Sequence, residues 1–251
     1  MPKKSKGTLR IGTSNIVVPG TKQSFPAEFQ QKSRLNYYAS LFNSIEINST
    51  FYKIPMHSTF ERWSLDVPAN FQFTVKLWKE ITHSKELKSD LDNIDIFLKA
   101  ADRLGEKKGC LLIQFPGKIT FDYYNEVERI LERIQQVDQG NKWRKAIEFR
   151  SPTWYVSETH ELLDEYDASI VLHDIPKAKS VELNKAAKFI YIRYHGPTGN
   201  YRGSYTDDFL REEYKKIKDW LKEGKDVYAY FNNTMGSALE NAMSLKTMAA
   251  K

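Results

Sequence analysis

The chain has 251 residues, one cysteine, 41% hydrophobic residues and a formal net charge of +6. This length suits one large domain better than two small ones, and a single cysteine excludes an intramolecular disulfide, which fits a reducing, cytoplasmic setting. No apolar run approaches the ~18–20 residues of a membrane span, the basic start Met1–Gly7 lacks the apolar stretch of a secretory signal, and the scattered lysines favour anionic over cationic partners without indicating nucleic acid.

Residues 1–8 read as a flexible basic tail and 9–251 as one domain. Eight β-like runs then alternate with eight helical stretches. The runs are Leu9–Ser14, Ser44–Thr50, Phe71–Trp78, Gly109–Pro116, Lys145–Arg150, Ala168–Asp174, Phe189–Gly196 and Asp226–Asn233. Cys110 falls inside an apolar run and reads as a small buried hydrophobe. Between the runs, apolar residues recur at helical spacing. Leu91, Ile94, Phe97, Leu98, Ala101 and Leu104 share one face ahead of Gly105. Val127, Ile130, Leu131, Ile134 and Val137 do so ahead of Gly140. Phe209, Leu210, Tyr214, Ile217 and Leu221 repeat the pattern before Gly224, and Thr206 followed by two aspartates marks a helix start. Strand and helix alternating eight times predicts an α/β fold, a single (β/α)₈ TIM-type barrel.

Such barrels carry their chemistry at the C-terminal ends of the strands. Two long connections, Asn15–Gln30 and Pro197–Tyr205, lie at that face, where lids and specificity loops occur. The second sets Tyr201, Arg202 and Tyr205 among glycines and reads as a functional loop. Side chains alternate along a strand. Apolar residues such as Ile45, Ile47, Phe73, Val75, Ile113, Ile147, Ile190 and Ile192 belong against the helices. The same alternation turns Ser14, Glu46, Asn48, Lys76, Gln114, Glu148, Arg150, His173, Arg193, His195 and Asn232 inward. Buried charges must pair or meet a ligand. A self-satisfied network, with Glu46 on Lys76 and Glu148 on Arg193, is the simpler explanation for some of them. Eleven polar residues at the functional face favour a ligand site.

At these strand ends the sequence resembles the YecE-like family, domain of unknown function 72. The resemblance rests on Tyr38-Ala-Ser-Leu-Phe-Asn-Ser-Ile-Glu-Ile-Asn-Ser-Thr-Phe-Tyr52, Phe71–Lys76 with Ile81-Thr82-His83, Gln114-Phe115-Pro116, and Glu148-Phe149-Arg150 followed by Trp154. Arg193-Tyr194-His195-Gly196, Tyr230-Phe231-Asn232-Asn233, Ala238 and Asn241-Ala242 complete it. It implies a TIM-type barrel without an established activity, likened to sugar isomerases by fold. The family's recurring residues carry over at Glu46, Asn48, Lys76, His83, Gln114, Glu148, Arg150, Asp174, Arg193, His195, Asn232 and Asn233. Two departures stand out. Asn15-Ile-Val-Val-Pro-Gly20 replaces a tryptophan- and tyrosine-containing stretch, and Ser151-Pro-Thr-Trp154 stands where His-Pro-Ser-Trp is common.

The expected function is an enzyme acting on a small anionic molecule, a phosphorylated sugar or nucleotide-like compound, by acid–base isomerisation or hydrolysis. Lys76, Arg150 and Arg193 would hold the anion. Glu148 or Glu46 would move a proton with His195 assisting. Asn48, His83, Gln114, His173, Asp174, Tyr201, Tyr205, Asn232 and Asn233 would line the substrate. No cofactor is called for. Glu46, Glu148, His173, Asp174 and His195 would suit a divalent metal, but they form no compact ligand motif and share the mouth with three basic side chains. The alternative is nucleic-acid binding through aromatic and basic groups at the mouth. No membrane partner is expected, and the oligomeric state is not readable.

Overall fold

The computed structural model describes residues 6–140 and 142–250. Its eight parallel strands are β1 Leu9–Thr13, β2 Ser44–Ile47, β3 Gln72–Lys76, β4 Lys108–Phe115, β5 Arg144–Phe149, β6 Ala168–His173, β7 Phe189–Tyr194 and β8 Asp226–Phe231. They pair in the order β1-β8-β7-β6-β5-β4-β3-β2, so β1 and β2 form the two margins of the sheet. Residues 1–5 of the expected tail lie outside the described residues. Gly7 and Thr8 are tied down, through the Leu221 carbonyl at 2.9 Å and the Asp226 carboxylate at 2.7 Å.

Side chains close the seam between β1 and β2. At its upper end Ser14 and Glu46 form one parallel bridge. Lower down, the Asn43 amide donates to the Leu9 carbonyl at 2.8 Å and accepts from the Ile11 N–H at 3.0 Å. The buried Tyr38 hydroxyl accepts from the Thr13 N–H at 2.7 Å and donates to the Ser44 carbonyl at 3.2 Å. Buried backbone groups need partners, and these two side chains supply them. Gly12 permits the approach, because a Cβ there would stand 2.2 Å from the Ser44 carbonyl oxygen. The product is a nearly closed eight-stranded barrel, the architecture the alternation predicts.

Two apolar layers follow from the period of two. The outward strand residues, Ile45, Phe73, Val75, Leu111, Ile113, Ile147, Ile170, Ile190, Ile192 and Val227 among them, pack against the helices. Inside, Cys110, Leu112, Ala146, Val171, Phe189, Tyr191, Tyr228 and Tyr230 form a second core. Tyrosines thus fill space that such barrels commonly give to branched aliphatics. Each hydroxyl finds a partner, as a buried phenol must: Tyr228 on Gln72 at 2.6 Å, Tyr230 between Ser44 at 2.5 Å and Thr74 at 2.9 Å. Burial pushes the Cys110 thiol well up, so it is an unreactive hydrophobe.

Helices cover the outside: α1 Arg34–Leu41, α2 Ser49–Tyr52, α3 His57–Leu65, α4 Lys79–Thr82, α5 Asp92–Ala101, α6 Tyr124–Val137, α7 Ser157–Glu165, α8 Asp207–Lys222 and α9 Ala238–Ala249. The Thr206 hydroxyl caps α8 by accepting from the Phe209 N–H at 3.2 Å. The expected sixth helical stretch, between β6 and β7, does not form among the described residues. That segment holds only a short turn, Pro176–Ala178, and a bridge from His173 to Ser180. Its alternating Ser180-Val-Glu-Leu-Asn184 lacks a helical period. Asn184 anchors it instead, donating to Asp164 at 2.6 Å and to the Ala168 carbonyl at 2.9 Å. The long Asn15–Gln30 connection is no free lid. Val18 and Phe25 are buried in it, and Arg34 grips the Val18 and Gly20 carbonyls. No helix among the described residues is long and apolar enough to cross a membrane.

Candidate functional site

Strand register assembles the site. Parallel pairing sets Gln114 beside Glu148, His173 beside Arg193 and Ser14 beside Glu46, all at the C-terminal ends and all facing in. Charges from β2, β5 and β7 then converge on Arg193. Its Nε and Nη2 donate to the two oxygens of Glu46 at 2.9 and 2.8 Å, and its Nη1 donates to Glu148 at 2.6 Å. This is a two-point grip with a third arm on a second carboxylate, the strongest way a guanidinium pairs.

Glu46 is saturated. Besides both Arg193 bonds it accepts from Ser14 at 2.6 Å, Tyr191 at 2.6 Å and Asn48 at 3.2 Å, five donors in all. A carboxylate offers about four lone-pair sites, so none remains for a ligand. Burial opposes its charge, but Arg193, Ser14 and Tyr191 prevail and hold its pKa below the ordinary value. Glu148 is also wholly buried. Against burial, Arg150 and Arg193 keep it well below the ordinary range, so it is a fixed anion. Arg193 itself is pushed well up, since its two carboxylates outweigh its own burial. Glu46, Glu148 and Arg193 form a closed lower tier. Of the two pairs anticipated, Glu148 with Arg193 forms, whereas Glu46 meets Arg193 instead of Lys76.

A second tier lies above and is partly open. Arg150 bonds Glu148 through Nε, the Tyr201 hydroxyl at 3.3 Å and His195 Nε2 at 3.1 Å, with 17% of its side chain exposed. Because a guanidinium only donates, His195 Nε2 is the bare nitrogen and Nδ1 carries the hydrogen, 3.3 Å from Asp174. Asp174 also accepts from the His195 N–H at 2.8 Å and from Tyr205. Burial, only partly offset by Asp174, lowers the His195 pKa, so the ring is neutral at pH 7. Lys76 donates to Gln114 at 2.8 Å and rests 3.9 Å from the centre of the Phe51 ring. Among the described residues no carboxylate pairs with it. Burial, then Arg193, pulls it down to about 8. His83 packs edge-on against Phe51, and burial with the charges of Lys76, Lys118 and Arg150 pushes it down to about 4.

The Pro197–Tyr205 loop roofs one side. Tyr201 sits in the left-handed region at φ 67°, held by bonds from its N–H to the His195 carbonyl and from Met235 to its own carbonyl. A non-glycine residue kept in that region is strained. The Tyr201 hydroxyl accepts from Arg150 Nη1 at 3.3 Å. Tyr205, Asn233 and Asn241 fasten the loop from beneath, with Asn233 Nδ2 bonding Asn241 at 3.0 Å and the Gly203 carbonyl at 3.0 Å.

Nearly every anticipated residue therefore lies at one mouth, in distinct positions. Glu46 and Arg193 are inaccessible. His173 is committed to Tyr155 and the Phe149 carbonyl, and burial lowers it to about 4. Tyr205 and Asn233 belong to the loop's underside. Asn48, Lys76, His83, Arg150, Asp174 and Tyr201 reach the open tier. Gln114 and Asn232 are buried beside it, and the Asn48 Oδ1 is buried without a partner among the described residues. At the mouth Lys76, Arg150 and Arg193 stand against Glu46, Glu148 and Asp174, with Lys118 acting on His83 from beside them. The cations of the open tier cluster on the β3–β5 side. No group of three or more His, Cys, Asp or Glu residues suited to a metal ion occurs among the described residues. Surface cavities of about 440 and 550 Å³ lie towards the opposite strand ends and touch none of this network. Sequence reading missed Tyr191 and Lys118. The parity that turns Arg193 inward also turns Tyr191 inward, but nothing in the sequence marks Lys118.

Comparison with known proteins agrees with the barrel fold. A family model described as protein of unknown function DUF72 matches residues 10–251. The UPF0759 protein YunF of Bacillus subtilis (strain 168) is 23% identical over 242 residues, covering 84% of each chain. A DUF72 family protein of Enterococcus faecalis V583 superposes with a TM-score of 0.80 at 21% identity, covering 97% of this chain and 96% of that one. Another, from Thermotoga maritima MSB8, gives 0.75 at 23% identity, covering 97% and 100%. With a match over nearly its whole length, the chain belongs to the DUF72 family.

Proposed function

We propose that this barrel is an enzyme for a small anionic substrate, a phosphorylated sugar or nucleotide-like molecule, transformed by acid–base isomerisation or hydrolysis. The observation that carries this reading is the split between the two tiers. The lower carboxylates are paired with Arg193, Glu148 also with Arg150, while the rest of Arg150 and Lys76 stand partly open above them with Lys118 and His83 beside them. Arg150 would grip the anion in place of the buried Arg193. His195, neutral and oriented by Asp174, is the better-placed proton carrier, with its bare Nε2 turned to Arg150. Glu148 would stabilise the charge that forms, and Glu46 would position Arg193. Asn48, Gln114, Asn232 and Tyr201 would orient the substrate, while Tyr205, Asn233 and His173 would hold the frame.

The test is calorimetric titration and thermal shift with inorganic phosphate, ribose 5-phosphate, glucose 6-phosphate and AMP. At least one should bind, and Arg150→Ala should weaken it by about tenfold or more, the scale of a lost charged hydrogen bond. Binding unchanged in Arg150→Ala would sink the reading. So would tight, steeply salt-dependent binding of a single-stranded oligonucleotide with no small-molecule binding, which would establish the nucleic-acid alternative.

A further inference from the structure

We propose that Lys76 is a nucleophile whose amine condenses with the aldehyde or ketone carbon of the anionic substrate to form an imine. The inference rests on the reading above that an anion docks at this rim.

Three observations carry it. Lys76 ends β3 with its side chain facing the barrel axis, part-buried and reachable from the mouth. The carboxylates that would normally neutralise such a lysine are committed elsewhere, Glu46 to Arg193 and Glu148 to Arg193 and Arg150. What remains is neutral: the Gln114 oxygen at 2.8 Å and the Phe51 ring at 3.9 Å. A structural counter-ion would have a carboxylate. An amine shielded from water and set near other cations is the arrangement that frees a lysine lone pair near neutral pH. The groups acting on it are Arg193 and Arg150, which disfavour its proton, and Glu148 and Glu46, which favour it; burial is the largest influence, and the balance is about 8.

The chemistry balances without an oxidant or reductant. The amine nitrogen attacks the carbonyl carbon, the carbon–oxygen double bond opens as the C–N bond forms, and one N–H proton passes to the oxygen. A second proton, the one the ammonium gave up on becoming an amine, then adds to that oxygen, the C–O bond breaks, water leaves, and the nitrogen lone pair closes the C=N bond as a protonated imine. In its protonated form the imine draws electrons from the adjacent carbon, acidifying the C–H that His195 would deprotonate. Arg150 and Lys118 would hold the substrate's anionic end.

The experiment treats the whole chain with glyceraldehyde 3-phosphate or dihydroxyacetone phosphate, and in parallel with glyceraldehyde or dihydroxyacetone. Sodium borohydride then supplies hydride to fix any iminium as a secondary amine, and peptide mass spectrometry locates it. The expected result is one adduct per chain, on Lys76, from a phosphorylated probe at concentrations that leave exposed lysines unmodified. Inorganic phosphate should protect against it, and Lys76→Met should lose it. Labelling spread over exposed lysines, or none at Lys76, overturns the imine; if phosphate still raises the melting temperature, the anion reading survives. Equal labelling of Lys76 by both probe types, without phosphate protection, upholds the imine and removes the anion. Should Lys76→Met not fold, the pH dependence of wild-type labelling decides. Lys76 should reach half-maximal labelling near pH 8, while ordinary lysines continue to rise towards 10.5. Coincident profiles overturn the proposal.

Discussion

Arg193 is the residue on which the mouth depends. It is 1% exposed and is the counter-ion of two carboxylates that are wholly buried. Removing one partner of a buried ion pair leaves uncompensated charge, at a cost of about 3–5 kcal/mol. Arg193→Met should therefore lower unfolding free energy at pH 7 by about that amount in urea titrations, and the deficit should narrow in acid as Glu46 and Glu148 protonate. A deficit under about 1 kcal/mol, the worth of an exposed pair, would show that water reaches the carboxylates. Alternation in the sequence predicts which side chains face inward, and the contacts among Ser14, Glu46, Lys76, Gln114, Glu148, Arg150, Arg193 and His195 follow it. It did not show which pairs form. Lys76 and Arg193 look equivalent as inward cations, and only their heights and neighbours separate a clamp from an amine beside a neutral amide.

At the scale of elements, the β1–β2 seam is the weak line of the barrel. The other seven strand pairs are laddered, whereas this one is held by Asn43, Tyr38, one bridge and, just above it, the Asn15 side chain on the Asn48 N–H. Asn43→Ala should cost about 1–3 kcal/mol, the penalty of stranding buried backbone groups, and should speed hydrogen exchange at the Ile11 amide. Gly12→Ala should be worse and prevent recovery of folded protein, since the Cβ would meet backbone, which cannot rotate aside. Normal solubility and exchange in both variants would mean that the seam is closed by something other than these contacts. Elements were legible where a period was long and clean, as in α5, α6 and α8. The β6–β7 connection was not, because it is held by Asn184 reaching back to β6 and α7, by the His173–Ser180 bridge and by the Ala186 N–H on Asp164, and no periodic signal encodes those contacts.

For the whole molecule, titration sets the acid limit. His83 and His173 are held neutral in the fold down to about 4, whereas an unfolded histidine takes its proton near 6.5. Between those values the unfolded chain binds more protons, so stability falls as pH falls. Glu46 and Glu148, depressed in the fold, contribute fully above the unfolded value of 4.5 and lose that contribution as pH drops through their folded values. Lys76 acts in the opposite range. Its folded value is about 8 against an ordinary 10.5, so its contribution rises with pH across that window. Urea midpoints measured from pH 4 to 10 should climb steeply from 4 to 6.5 and again, more weakly, above 8. A flat profile below 6.5 would mean the two histidines are solvated in the fold.

The sequence alone determined the barrel, its inward face and the family. Strand alternation, helical spacing and local motifs are properties of short segments and survive without knowledge of long-range contacts. The tertiary structure alone decided how the mouth is wired. Arg193 meets Glu46 across 147 residues and Glu148 across 45, and Asp174 fixes the His195 ring from the neighbouring strand's end. Those pairings depend on strand height and on how the seam closes, so the division into a sealed lower tier and an open upper one arises only when the sheet curls onto itself.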